Sequence, residues 1–176
     1  EVIANMVKEF FDPRYIACAD IQTDNAEMLA QRYDYIFFTG GVQVGKVIAR
    51  AAAEFLTPTT LELGGKSPCI VDETADIATS AKRIVWGKFI NAGQTCVAPD
   101  YLLVHEKVKD KLLDAMKAAV KEFYGENPMT SSDYASIIND RHFERLSSMI
   151  KGGKVVFGGK TDAAKKYIAP TLITDI

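Results

Sequence analysis

Tyr35-Ile36-Phe37-Phe38-Thr39-Gly40-Gly41-Val42-Gln43-Val44-Gly45 runs from an apolar, β-prone segment straight into a glycine-rich turn. Val47, Ile48, Ala51, Ala52 and Phe55 then recur at helical spacing, so the stretch reads as strand, tight turn, helix. Upstream, Tyr15 to Cys18 reads as another strand. Asp24, with Glu27 three positions later, forms a capping-box pattern ahead of a helix that buries Met28 and Leu29. Downstream, Pro58 is expected to stop the helix, and the β-branched run Thr59 to Leu63 is a strand ending at Gly64-Gly65. Short strands alternating with helices predict an α/β fold, a parallel sheet in a three-layer arrangement.

Gly64-Gly65 is the best boundary candidate. The residues before Lys66 carry 5 basic and 9 acidic side chains, whereas those from Lys66 onward carry 16 and 14. Two domains follow, 1–65 and 66–176. In the second, the pattern predicts strands at Cys69 to Val71 and Tyr101 to Val104. A helix from Asp76 to about Asn91 precedes a loop through Cys96, and a long helix presents Val108, Leu112, Leu113, Met116, Val120 and Phe123 on one face. A helix with Phe143, Leu146, Met149 and Ile150, a strand at Val155 to Phe157 and a run at Ile168 to Ile173 complete it.

The chain has 176 residues, 48% hydrophobic and 25% charged, with a net charge of −2. That composition suits a soluble globular protein and gives no general field for nucleic acid or anionic lipid. No apolar run approaches the roughly 18 residues of a membrane span. The first residues lack a signal-peptide pattern. Together these features predict a cytoplasmic protein. The chain opens inside an amphipathic pattern (Val2, Ile3, Met6, Val7, Phe10) and stops just after a strand-like run, so it is expected to be a piece of something longer.

Three features carry chemistry. A glycine turn between strand and helix lets backbone N–H groups approach a phosphate, and Gly40, Gly41 and Gly45 suit that task as well as they suit a merely structural turn. Gly40 through Gly45-Lys46 matches most of a P-loop, but Val47 replaces the hydroxyl that would hold magnesium. Cys96 lies in the polar loop Asn91-Ala92-Gly93-Gln94-Thr95-Cys96-Val97-Ala98-Pro99, whereas Cys18 and Cys69 sit in apolar strand patterns expected to bury them. Cys96 is therefore the nucleophile candidate. The only histidines, His105 and His142, suit capping or surface roles, and no zinc-type pairing exists, so no metal is expected. Glu62 stands where a buried strand would place an apolar residue, and spacing leaves structural pairing and catalysis equally open.

Phe37-Phe38-Thr39-Gly40-Gly41, Leu61-Glu62-Leu63-Gly64-Gly65-Lys66-Ser67-Pro68 and Asn91-Ala92-Gly93-Gln94-Thr95-Cys96, in that order and spacing, resemble the aldehyde dehydrogenase superfamily. Val97-Ala98-Pro99-Asp100-Tyr101, Tyr35-Ile36-Phe37-Phe38 and Ala169-Pro170-Thr171 resemble its class 3 branch of fatty and aromatic aldehyde dehydrogenases. The resemblance covers essentially the whole chain. It implies the end of a Rossmann-like NAD(P)-binding domain over 1–65 and the first part of an α/β catalytic domain over 66–176.

It further implies Cys96 as nucleophile and Glu62 as general base. Thr39, Gly40, Gly41, Val44 and Gly45 fall at the NAD or NADP pyrophosphate site, and Leu63 at the nicotinamide amide. The implied reaction oxidises a small-molecule aldehyde to a carboxylic acid in a homo-oligomer, a dimer. Gly41 departs from the family's usual serine. The family's oxyanion asparagine, ribose-site lysine and ribose-binding glutamate have no counterpart in residues 1–176, so this piece alone is expected to turn over poorly. The competing readings are a P-loop-like nucleotide-binding module and a folded but inactive fragment.

Overall fold

The computed structural model describes residues 1–19 and 25–176, which form two compact units, Glu1–Leu63 and Gly64–Ile176. The Asp24 capping position lies outside the described residues.

In the first unit, α1 (Val2–Phe10) and α2 (Asn25–Leu29) precede β1 (Ile36–Thr39), α3 (Val42–Ala53) and β2 (Thr59–Glu62). Glu27 sits in the first turn of α2. β1 and β2 pair in parallel from Ile36↔Thr59 to Thr39↔Glu62, with α3 as the crossover that parallel strands require. The Thr60 hydroxyl is hydrogen-bonded to the Tyr35 phenol, and the Thr57 hydroxyl donates to the Tyr33 carbonyl at 2.9 Å.

Three expectations fail in this unit. Met28, expected on the buried face of α2, is exposed. Tyr15 to Cys18 forms no strand, and Cys18 is exposed. Among the described residues no neighbouring strand takes up its backbone groups, and an apolar run without a ladder partner has no reason to stay extended. The helix also ends at Ala53, before Phe55, because Leu56 turns left-handed (φ 56°). Thr57, directly before Pro58, is sterically driven from helical geometry.

The second unit contains β3 (Pro68–Val71), α4 (Ile77–Phe89), β4 (Tyr101–Val104) and α5 (Lys109–Tyr124), then α6 (Asp140–Met149), β5 (Lys154–Phe157), β6 (Thr161–Asp162), β7 (Tyr167–Ile168) and β8 (Leu172–Thr174). β3 and β4 pair in parallel, Cys69 opposite Leu102. α4 starts at Asp76, whose carboxylate accepts the Thr79 N–H at 2.7 Å, and α5 ends at Gly125 with φ 76°. Ala81, Ile84, Val85 and Phe89 of α4 pack with Leu112, Met116, Ala119, Val120 and Tyr124 of α5 and with Val71 to form the core. Burying such apolar side chains stabilises by about 1.5–3 kcal/mol for each large one.

The parallel pairs place the protein in the α/β class. Two antiparallel pairs, β5–β8 and β6–β7, accompany them. The Ile168 to Ile173 run is split between β7 and β8 by Ala169-Pro170-Thr171, since a proline has no N–H for a ladder. The predicted helix through Asn91 stops at Phe89, because Ala92 and Gly93 take positive φ. Among the described residues no helix is long and apolar enough to cross a membrane.

A ring cluster closes one side of this core. Tyr134 lies 5.1 Å from Tyr124, 5.8 Å from Tyr167 and 6.2 Å from Phe89, centroid to centroid, and its hydroxyl donates to the Ile168 carbonyl at 3.0 Å. Burial first, then the neighbouring phenols, push the Tyr134 phenol well above the usual tyrosine range. The folded state therefore holds this proton more tightly than the unfolded chain. The resulting stability is fully present below about pH 10, the ordinary phenol value, and is lost as pH rises from there through the raised folded value. Tyr134→Phe should lower stability by about 1 kcal/mol at pH 7, through the lost hydrogen bond, and reduce the decline above pH 10. Urea unfolding midpoints at pH 7 and pH 11 check this; an undiminished alkaline decline would contradict it.

Candidate active site

The ends of two strands carry the candidate groups of the Glu1–Leu63 unit. β1 leads into Gly40 and β2 ends at Glu62, so the glycine turn and the carboxylate share one edge of the sheet, the carboxyl edge where α/β proteins bind ligands. The Gly40 N–H donates to the Glu62 carbonyl at 2.9 Å, tying the two together. The Glu62 side chain is exposed. A β-carbon on Gly40 would stand 2.5 Å from the Phe38 ring, and one on Gly45 would stand 2.7 Å from Leu63 Cδ2. These two glycines therefore serve close packing. Gly41 has open space around it and is the N-cap of α3, whose first turn has no side-chain cap. Unspent N–H groups at a helix N-terminus beside an unobstructed glycine suit a phosphate. Thr39 ends β1, and Val44 lies exposed in the first turn of α3.

The nucleophile candidate lies in the Gly64–Ile176 unit. Cys96 sits on the loop between α4 and β4, exposed to solvent, as expected from the sequence. Its carbonyl accepts from the Ser67 hydroxyl at 3.3 Å, and the Ser67 carbonyl in turn accepts the Asp100 N–H at 2.8 Å. A side chain on Gly65 would come within 3.2 Å of the same Cys96 carbonyl. Glycine at 65 and serine at 67 thus hold the loop backbone from one side. Asp100 pairs with Lys66 at 2.6 Å and with Lys88 at 3.9 Å. Desolvation holds the Lys88 ammonium below the usual lysine range; Asp100 opposes this shift and Lys66 adds to it.

Ser67, Lys88 and Asp100 escape a sequence reading, because each acts through a tertiary contact. The only signal is that Ser67 and Asp100 fall within the quoted motif segments. His105 caps the short turn after β4, its Nδ1 accepting the Lys107 N–H at 3.3 Å, which accords with the capping role expected for it.

All three thiols are free, and the expectation that burial shields Cys18 is corrected by its exposure. Only Cys69, half-buried on β3, is sheltered. A limiting dose of iodoacetamide should therefore modify Cys96 and Cys18 before Cys69. Peptide mass mapping reads the order, and Cys69 reacting first would contradict it.

Residues 21–176 match the aldehyde dehydrogenase family. The chain belongs to that family. It is 46% identical to aldehyde dehydrogenase family 3 member A2 of Rattus norvegicus, in an alignment covering 100% of this chain and 37% of the relative. It is 47% identical to the dimeric NADP-preferring aldehyde dehydrogenase of Canis lupus familiaris, over 99% of this chain and 39% of that one. Among solved structures, the substrate-bound state of Staphylococcus aureus AldH matches with a TM-score of 0.91 and 47% identity, over 99% of this chain and 39% of that one. The chain thus spans under two fifths of the length of these aldehyde dehydrogenases.

Proposed function

We propose that this chain carries the reacting groups of an NAD(P)-dependent aldehyde dehydrogenase that yields a carboxylic acid. Cys96 is the nucleophile and Glu62 the general base. The observation that carries the reading is an exposed cysteine on a backbone-braced loop, in a chain whose family membership spans nearly its whole length.

The turn at Thr39, Gly40, Gly41, Val44 and Gly45 would hold the dinucleotide's pyrophosphate, with the uncapped first turn of α3 and the open space at Gly41 in support. Leu63, packed on Gly45, would offer its carbonyl to the nicotinamide amide. A bound nicotinamide dinucleotide supplies the hydride acceptor.

The chain's own residues do the rest. Cys96 Sγ, as thiolate, bonds to the aldehyde carbon, and the Cys96 N–H donates to the oxygen that gains charge. Departure of hydride from that carbon leaves a thioester on Sγ. A Glu62 carboxylate oxygen then takes a proton from water as the water oxygen bonds to the acyl carbon. The C–S bond breaks, the acid leaves and the thiolate is restored. Glu62 favours hydrolysis over transfer to another thiol.

The resemblance of the motifs to the class 3 branch favours a fatty or aromatic aldehyde, the name of the canine relative favours NADP and a dimer, and three free thiols suit a cytoplasmic setting. The intact enzyme should produce reduced nicotinamide and free acid from a medium-chain or aromatic aldehyde with NAD⁺ or NADP⁺. Absence of both products with either dinucleotide would contradict the proposal.

A further inference from the structure

The loop that carries Cys96 is unusual in its backbone. Ala92 (φ 49°) and Gly93 (φ 80°) adopt left-handed conformations in succession just after α4. A side chain in that region is strained by about 1–2 kcal/mol, and strain of this kind persists only where surrounding contacts over-determine it. Gln94, the next residue, provides such contacts with every polar group of its side chain. Its Nε2 donates to the Asn91 carbonyl at 3.2 Å and to the Ser136 carbonyl at 3.1 Å, while its Oε1 accepts the Ile138 N–H at 3.0 Å. The Gln94 N–H also donates to the Asn91 carbonyl at 2.9 Å, closing the turn on itself.

The far side of this clamp is anchored. Between Ser136 and Ile138, Ile137 is buried to 3% exposure and its N–H donates to the Lys166 carbonyl at 2.9 Å. Asn139 then caps α6 by accepting the His142 N–H at 2.9 Å. The Gln94 amide therefore fastens a strained loop to a fixed segment more than 40 positions along the chain. Cys96 follows two residues later, while Ser67 holds its carbonyl from the other direction.

We propose that Gln94 is the positioning residue for Cys96: its side-chain amide, bridging to Ser136 and Ile138, fixes the loop that aims Sγ. The inference rests on the reading of Cys96 as nucleophile. An amide is the one side chain of this length that supplies two donors and an acceptor without charge. A carboxylate would face two carbonyl oxygens, and a thioether would leave the Ser136 carbonyl and the Ile138 N–H without their side-chain partner, the Asn91 carbonyl keeping the residue 94 N–H. Misplacing a reacting group by about 1 Å can cost on the order of 100-fold in rate, so the effect belongs in kcat.

The test uses the intact enzyme with Gln94→Met, Gln94→Glu and Cys96→Ala. Steady-state kinetics are normalised to the folded fraction measured by circular dichroism. Gln94→Met should lower kcat by roughly 10- to 100-fold with aldehyde KM within about twofold of the parent. Gln94→Glu should recover part of that loss as pH falls, because the protonated carboxyl regains one donor while its other oxygen still accepts the Ile138 N–H. A Gln94→Met kcat within about twofold of the parent, or a fall explained wholly by unfolded protein, would overturn the positioning role while Cys96→Ala remains inactive. Full turnover in Cys96→Ala would instead overturn the nucleophile assignment, and this inference with it.

Discussion

Cys96→Ala in the intact enzyme is expected to remove aldehyde oxidation altogether, burst and steady state alike, a loss on the order of 10⁶-fold. Without Sγ no bond forms to the aldehyde carbon, so there is no adduct from which hydride can leave. Stopped-flow absorbance at the reduced-nicotinamide band reads both phases. Because Cys96 is exposed on a loop and belongs to no core cluster, the alanine variant should unfold at the same urea concentration as the parent. Retained turnover would refute the nucleophile role, and a large fall in stability would assign the residue a structural one.

Glu62→Gln should act on a later step. The amide keeps the side chain's volume but cannot take a proton from water, so hydrolysis of the thioester should slow by roughly 100- to 10,000-fold. Thioester formation precedes that step, and one enzyme equivalent of reduced nicotinamide should appear rapidly before turnover stalls. Glu62 ends β2 with its side chain exposed, and its backbone carbonyl, which the substitution leaves in place, makes the bond to Gly40. The variant should therefore keep its fold. Unchanged steady-state turnover would return Glu62 to a structural role. Loss of the burst as well would mean that it also deprotonates Cys96.

The sequence makes the elements of both units legible wherever local pattern and tertiary demand agree. Tyr101–Val104 is found at its predicted limits. The long α5 follows its apolar spacing because side chains such as Leu112 and Met116 become buried, whereas in the helix after the glycine turn only Ala52 of the expected set is buried and Val47 and Phe55 stay exposed. Reading fails where a partner decides the outcome. Tyr15 to Cys18 has strand-like residues and no strand beside it among the described residues. The β5–β8 and β6–β7 pairs are antiparallel through contacts between segments that no local period encodes.

The candidate site divides in the same way. Cys96 and Glu62 stand out because each residue type conflicts with a bland account of its neighbourhood. The groups around Cys96 do not stand out. Gln94, Ser67 and Asp100 are ordinary polar residues in sequence, and their importance comes from hydrogen bonds across 29 or more positions to backbone groups that only the folded chain brings near. Gly45 reads as a phosphate-turn residue, whereas the fold adds a packing role against Leu63.

The central claim is a covalent one, that the acyl group of the substrate passes through Cys96. Intact Glu62→Gln enzyme mixed with aldehyde and NAD(P)⁺, quenched in acid within the burst and digested, should yield the Cys96 peptide heavier by the acyl group less one hydrogen, with Cys18 and Cys69 unmodified. An unmodified Cys96 peptide after a full burst, or acyl mass on Cys18 or Cys69, would contradict the account.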